Sequence, residues 1–196
     1  MEGNARGVTV NGSLDNETVS KLTREVFEWG SSLLFAFSAC FFITIFVMFF
    51  TVSGDSMLQT LHDGDKLLVY KFMYTPKRGD IVTIDTNDRL GKNIIKRVVG
   101  LPGDAIKFDY DKHEVYVNGQ VLKEDYINEP TALRGDGAIL NNTLYCVPAG
   151  RSCVLGDNRN RSMDSRFEKI GFVNINKFYG VAFLRYWPFD SFQIFS

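Results

Sequence analysis

The chain opens on a polar stretch and then loses every charge. Between Glu28 and Asp55 no side chain is ionisable as an acid or base of the Asp, Glu, Lys or Arg type, and Phe35, Phe37, Phe41, Phe42, Phe46, Phe49 and Phe50 all fall inside this run. A helix of that length would be about 39 Å long, enough to cross a hydrocarbon core of roughly 30 Å with some tilt. Core helices of soluble proteins rarely stay uncharged for so long, and a cleaved signal peptide would be shorter and start earlier. The pattern therefore predicts a retained membrane span, drawn over residues 26–52. Residues 1–20 are rich in Gly, Asn and Thr and show neither a helical nor a strand period. They predict a mobile tail, which with the lead-in from Lys21 is taken as residues 1–25.

After the span the pattern changes to short apolar runs separated by turn signals. Lys66–Tyr70, Asp80–Ile84, Asn93–Val99 and Glu114–Leu122 each read as strand. The last contains Asn118-Gly119, a pair suited to a tight hairpin turn whose two central residues need positive φ. Thr143–Val147 and Ser152–Leu155 flank Pro148-Ala149-Gly150-Arg151 and read as a second hairpin. The polar stretch Lys123–Asn142 reads as a surface excursion, so that residues of about 107–147 form a hairpin and loop set off from the rest. The predicted architecture is mainly β: one N-terminal transmembrane helix, then a barrel or sandwich over residues 53–196.

Composition and charge add little to this picture. Hydrophobic residues make up 45% and charged residues 23%, ordinary for a globular chain. A formal net charge of −1 points to no nucleic-acid partner. Lys21 and Arg24 before the span balance Lys66 and Lys71 after it, so the positive-inside rule assigns no orientation. Cys40 lies in the span as a small apolar filler. Cys146 and Cys153 flank the second turn. They are either a cross-strand disulfide or two unpaired residues on opposite faces, depending on register.

The chemistry turns on which serine could be activated, because a serine hydroxyl needs a base. The two histidines, His62 and His113, both lie in turn-like sequence and show no triad or metal-ligand spacing. A lysine can act as the base only when neutral, which requires burial among apolar groups to lower its pKa. Lys96 sits in Ile94-Ile95-Lys96-Arg97-Val98-Val99, with Ile94 and Val98 on its own face and Arg97 on the other. From spacing alone, a buried base and an edge-strand lysine pointing to water fit equally well.

Four blocks in order break that tie. Ser53-Gly54-Asp55-Ser56-Met57 follows the span directly. Arg78-Gly79-Asp80-Ile81-Val82 comes next, then Lys96-Arg97-Val98-Val99-Gly100-Leu101-Pro102-Gly103-Asp104, and last Gly156-Asp157-Asn158-Arg159-Asn160-Arg161-Ser162-Met163-Asp164-Ser165-Arg166. The chain thus resembles the bacterial type I (leader) signal peptidases over about residues 30–190. The resemblance implies a membrane-anchored Ser-Lys serine endopeptidase. Such an enzyme removes signal peptides from secreted precursors on the outer face of the cytoplasmic membrane, with the tail in the cytoplasm and without metal or cofactor. Carried over residue by residue, Ser56 is the nucleophile, Lys96 the general base, and Ser162 the group that orients the Lys96 amine. The Ser56 N–H faces the oxyanion. Arg97 with Asp157, and Asp164 with Arg166, are implied as structural ion pairs. Met57, Leu61, Ile94 and Ile95 match positions lining the shallow pockets that accept small residues before the cut.

Two positions depart from the family pattern. Gly54 stands where some relatives carry a serine that helps bind the oxyanion, and Gln59 stands where the usual motif has proline. Three other readings share parts of the sequence. A Ser-Lys autoprotease of the SOS-repressor type has no such span. A non-catalytic assembly factor or binding module would lack Ser56 or Lys96. A tethered structural β domain would leave both blocks as coincidence.

Overall fold

The computed structural model describes residues 16–72, 74–132 and 139–195, and the chain forms two compact units that meet between Thr44 and Ile45. Most of the predicted tail, residues 1–15, lies outside the described residues.

The first unit is helical. The helix α1 (Asn16–Phe46) begins well before residue 26, so residues 16–25 are helix and not tail. Its Val19–Phe46 portion is long and apolar enough to cross a membrane. Phe27, Phe35 and Phe37 are largely exposed on it. Polar groups along the helix are satisfied within it. Arg24 pairs with Glu28 one turn on, and the hydroxyls of Ser31, Ser32 and Thr44 donate to the carbonyls of Glu28 and Phe41. Internal satisfaction of this kind is what a segment in hydrocarbon requires.

The helix ends at Phe46 and not at residue 52. The apolar run continues, but as strand β1 (Val47–Thr51), paired antiparallel with β2 (Lys66–Tyr70) from Val47↔Tyr70 to Thr51↔Lys66. The Lys71 N–H donates to Phe46 O at 2.8 Å and starts this ladder at the residue where the helix stops. A run of uniformly apolar residues has no period to separate helix from strand, so the pairing partner decides.

The second unit is built from two sheets. The larger runs in the order β1, β2, β11 (Phe178–Trp187), β3 (Ile81–Ile84), β4 (Ile94–Gly100), β9 (Arg151–Leu155), β10 (Val173–Asn174), with β12 (Gln193–Ile194) also on β11. The smaller contains β7 (Gln120–Val121), β6 (Glu114–Val117), β5 (Ala105–Asp109) and β8 (Leu144–Cys146). A short helix α2 (Asn87–Leu90) joins β3 to β4. Asn118 (φ 52°) and Gly119 (φ 79°) make the tight turn of the smaller sheet. The polar excursion leaves this sheet after β7 and returns at β8, and residues 133–138 of it lie outside the described residues.

The second predicted hairpin does not form. β8 pairs with β5, whereas β9 pairs with β4 and β10, so the Pro148–Arg151 turn carries the chain from one sheet to the other. Cys146 is consequently exposed and Cys153 buried, and both are free. Alternation predicts strands but not partners, and here each strand finds a different core.

Three apolar clusters fill the unit. Phe108, Ile106 and Val115 pack between the sheets with Leu155. Met57, Leu61, Leu67 and Ile95 fill one face of the larger sheet, and Val82, Ile84, Ile94, Val98 and Val154 fill the other. Alternation along β4 therefore sets Ile94 and Val98 against a different core from Ile95, and leaves Lys96 inside the sheet.

Candidate active site

Ser56 lies in the turn that joins β1 to β2. Val52 closes the base of this loop by donating to Asp65 O at 2.8 Å and accepting from Gly64 N–H at 3.0 Å. Asp65 holds the loop to the sheet through Arg185, with Nη1 to Oδ2 at 2.9 Å, and accepts the His62 N–H. Gly54 takes φ 87°, and its N–H donates to Asp63 Oδ1 at 2.7 Å. That N–H is therefore already engaged, and the role of the glycine here is to turn the chain. The N–H of Ser56 makes no hydrogen bond among the described residues.

Lys96 reaches this turn from the middle of β4, flanked by β3 and β9, with Val82 opposite it. It is not an edge lysine: only 3% of it is exposed. Its Nζ lies 2.7 Å from Ser56 Oγ and donates to Ile95 O at 2.8 Å. Burial lowers its pKa to about 8, with Asp164 and Asp157 opposing that fall and Lys92 adding to it.

The loop after β9 backs the site. Arg97 and Asp157 form a bidentate pair, with Nε to Oδ1 at 2.8 Å and Nη2 to Oδ2 at 2.6 Å. The Arg97 guanidinium also stacks over Tyr126, 4.0 Å from the ring centre, and Thr60 donates to Asp157 Oδ2. Arg166 and Asp164 form a second bidentate pair, both contacts at 2.9 Å, fully inside the protein. Burial works to raise the Asp164 carboxyl, but Arg166, the Gly156 N–H and the Ser162 hydroxyl hold it below the usual carboxylate range. Ser162 itself is fully buried and packs against Gly156, where an added Cβ would sit 2.2 Å from its Oγ and 2.5 Å from Ser56 O.

A cleft of about 420 Å3 opens over Ser56 and Lys96, walled by Phe50, Leu90, Ile94, Ile95 and Met163. Ile94 and Ile95 stand where the sequence places them. Met57 and Leu61 do not: both are wholly buried against Leu67 and Ile95 and take no part in the cleft wall. Their side chains point into the core beneath the turn, an outcome that a match to family positions does not reveal. Phe50, Leu90 and Met163 also line the cleft without a sequence signal: the apolar run holding Phe50 shows no strand period, and nothing local ties Leu90 or Met163 to Ser56. The Gly156–Arg166 block signalled the backing residues, yet gave no sign that Asn158 touches the nucleophile turn. His62 and His113 lie outside this cleft, His113 holding Thr131 O at 3.0 Å.

A serine hydroxyl in contact with a buried amine, on a mainly β scaffold beside an open cleft of mixed polar and apolar lining, is an arrangement suited to a serine hydrolase that uses no histidine. The sequence model of the family described as "Signal peptidase, peptidase S26" matches residues 26–187. The chain is 34% identical over 190 residues to "Signal peptidase I" of Bacillus licheniformis, covering 91% of this chain and 97% of that protein. It is 31% identical over 188 residues to "Signal peptidase IB" of Staphylococcus aureus, covering 88% and 95%. Among solved structures, a signal peptidase I from Enterococcus faecalis aligns at 33% identity over 55% of this chain and 97% of that one, with a TM-score of 0.43. The chain belongs to the S26 signal peptidase family, in its bacterial type I branch, a family of serine endopeptidases.

Proposed function

We propose that this protein is a membrane-anchored signal peptidase that releases N-terminal signal peptides from secreted precursors through a Ser56–Lys96 dyad. The observation that carries the reading is the 2.7 Å approach of Lys96 Nζ to Ser56 Oγ in a site where the lysine is 3% exposed. A neutral Lys96 accepts the Ser56 proton as Oγ attacks the scissile carbonyl. The resulting ammonium passes that proton to the leaving amine, and the neutral amine then activates water to hydrolyse the ester. The Ser56 N–H, having no acceptor of its own, is the donor for the oxyanion. Ser162, which packs beside Gly156 and hydrogen-bonds Asp164, has the role of orienting the amine under this reading, while the Arg97–Asp157 and Asp164–Arg166 pairs hold the backing loop in place.

The apolar side chains of Ile94, Ile95 and Met163 on the cleft wall support a preference for small apolar residues before the cut. The helix α1 supports anchoring in the bilayer. In this reading the catalytic unit faces the extracytoplasmic side, where precursors emerge. A non-catalytic assembly factor would have no use for a desolvated amine against a serine hydroxyl, since burying that amine costs stability.

The test uses full-length protein in detergent and a precursor with Ala at both specificity positions. Cleavage is lost in Ser56→Ala and Lys96→Ala and kept in His62→Ala and His113→Ala. Full activity in Lys96→Ala would remove the dyad.

A further inference from the structure

Resting on the dyad reading, we propose that Asn158 is the positioning residue of the oxyanion site, holding the Asp55–Ser56 peptide so that the Ser56 N–H faces the substrate. In a trans peptide unit the C=O and the N–H point in opposite directions. The Asp55 carbonyl and the Ser56 N–H belong to one such unit. Fixing the carbonyl on one side of the turn therefore aims the N–H at the other.

Asn158 fixes that carbonyl. Its Nδ2 donates to Asp55 O at 2.9 Å, and its backbone N–H donates to Ser56 O at 3.0 Å, so one residue grips both carbonyls around the nucleophile. Leu58 N–H adds a longer contact to Asp55 O at 3.2 Å. Gly156 makes the approach feasible, because any side chain there would collide with Ser56 O. A hydrogen bond to the Asp55 oxygen also polarises the peptide and strengthens its N–H as a donor.

Burial argues that the residue is kept for its donor. Asn158 is 1% exposed, and its Oδ1 has no hydrogen-bond partner among the described residues. An unpaired buried acceptor is a cost to folding, so the amide would be a poor choice if packing were its only role. Its orientation is set by its neighbour: Asp55 O is an acceptor and must face the NH2 group and not Oδ1.

The experiment uses the full chain in detergent. Asn158→Ala and Asn158→Asp both remove the Nδ2 donor and keep the backbone N–H. The expected result is a kcat lowered about ten- to a hundredfold with KM within about twofold, because an oxyanion contact forms only in the transition state. The affinity of a peptide aldehyde, which adds to Ser56 Oγ as a hemiacetal, falls by the same factor. The affinity of an uncleaved precursor peptide, measured in a Ser56→Ala background, stays unchanged. In Asn158→Ala the pH midpoint of kcat also stays where it is, since the base is untouched. A wild-type kcat in either variant overturns the proposal. So does a parallel loss for the aldehyde and the uncleaved peptide, which is the signature of a merely damaged fold. Should Asn158→Ala not fold, Asn158→Asp and Asn158→Ser carry the same comparison. The dyad is read separately: an active Ser56→Ala sinks it, whereas an inactive Ser56→Ala beside a fully active Asn158→Ala sinks only the role of Asn158.

Discussion

Lys96 faces two opposed demands. As the proposed base it must be neutral near working pH, and burial favours this by lowering its pKa from 10.5 to about 8. The rate should therefore rise with pH through about 8 and level off above it, as measured by kcat/KM from pH 6 to 10. A flat profile would count against Lys96 as the base. Lys92 contributes to the fall in pKa, so Lys92→Glu should move the midpoint to higher pH and slow cleavage at pH 7. The same burial destabilises the fold. Between about pH 8 and 10.5 the unfolded chain holds the Lys96 proton and the folded chain does not. Stability from this group therefore increases as pH rises through that window, and the full cost is present below it. The fall in pKa corresponds to about 3 kcal/mol. Lys96→Met should consequently unfold at a higher urea concentration at pH 7 while losing activity, with the gain shrinking by pH 11. Met57 and Leu61 show the limit of residue-level reading. They neighbour Ser56 in sequence, yet they fill the core under it.

At the scale of elements, two glycines set how closely strands and loops approach. On β11, a Cβ at Gly180 would lie 2.0 Å from Tyr70 O on β2, so Gly180→Ala should destabilise the pairing that carries the whole nucleophile loop. At Gly156 the collision would be with Ser56 O and the Ser162 side chain. Gly156→Ala should therefore cost both activity and stability, seen as a large loss in kcat together with a lowered melting temperature. The strands themselves were legible. Lys66–Tyr70, Ile81–Ile84 and the Asn118-Gly119 hairpin follow from alternation and turn chemistry. Partners were not, because alternation is local and pairing is not. β1 was hidden in the uniformly apolar run, and β8 and β9 were assigned to each other although each belongs to a different sheet.

At the scale of the whole molecule, the excursion is tied to the catalytic loop by charge. Arg159 is wholly buried, and its guanidinium meets both oxygens of Glu124, Thr131 Oγ1 at 3.0 Å and Gly156 O at 3.0 Å. Glu124→Gln would remove the carboxylate paired directly with this buried guanidinium. It should destabilise the β unit by about 3 to 5 kcal/mol, measured by urea unfolding at pH 7. The helix α1 makes a separate prediction. With its Val19–Phe46 face apolar, the protein should stay in the membrane pellet through alkaline carbonate extraction and leave it only in detergent. Added protease should degrade the β unit in intact spheroplasts under the proposed orientation, and spare it under the reverse.

The sequence by itself determined the apolar helix, the mainly β character of the remainder and the order of the four blocks. These depend on composition and short-range period, which are present in any stretch of chain. Only the tertiary structure decided that Lys96 is central and buried, because an identical apolar flank serves an edge strand as well as an inner one, and β3 and β9 on either side make the difference. Only the tertiary structure brought Lys96 Nζ within 2.7 Å of Ser56 Oγ and laid Asn158 against the Asp55 and Ser56 carbonyls. Contacts between residues forty or a hundred positions apart in sequence leave no local trace, since they are set by how the sheets pair and not by what any one segment prefers.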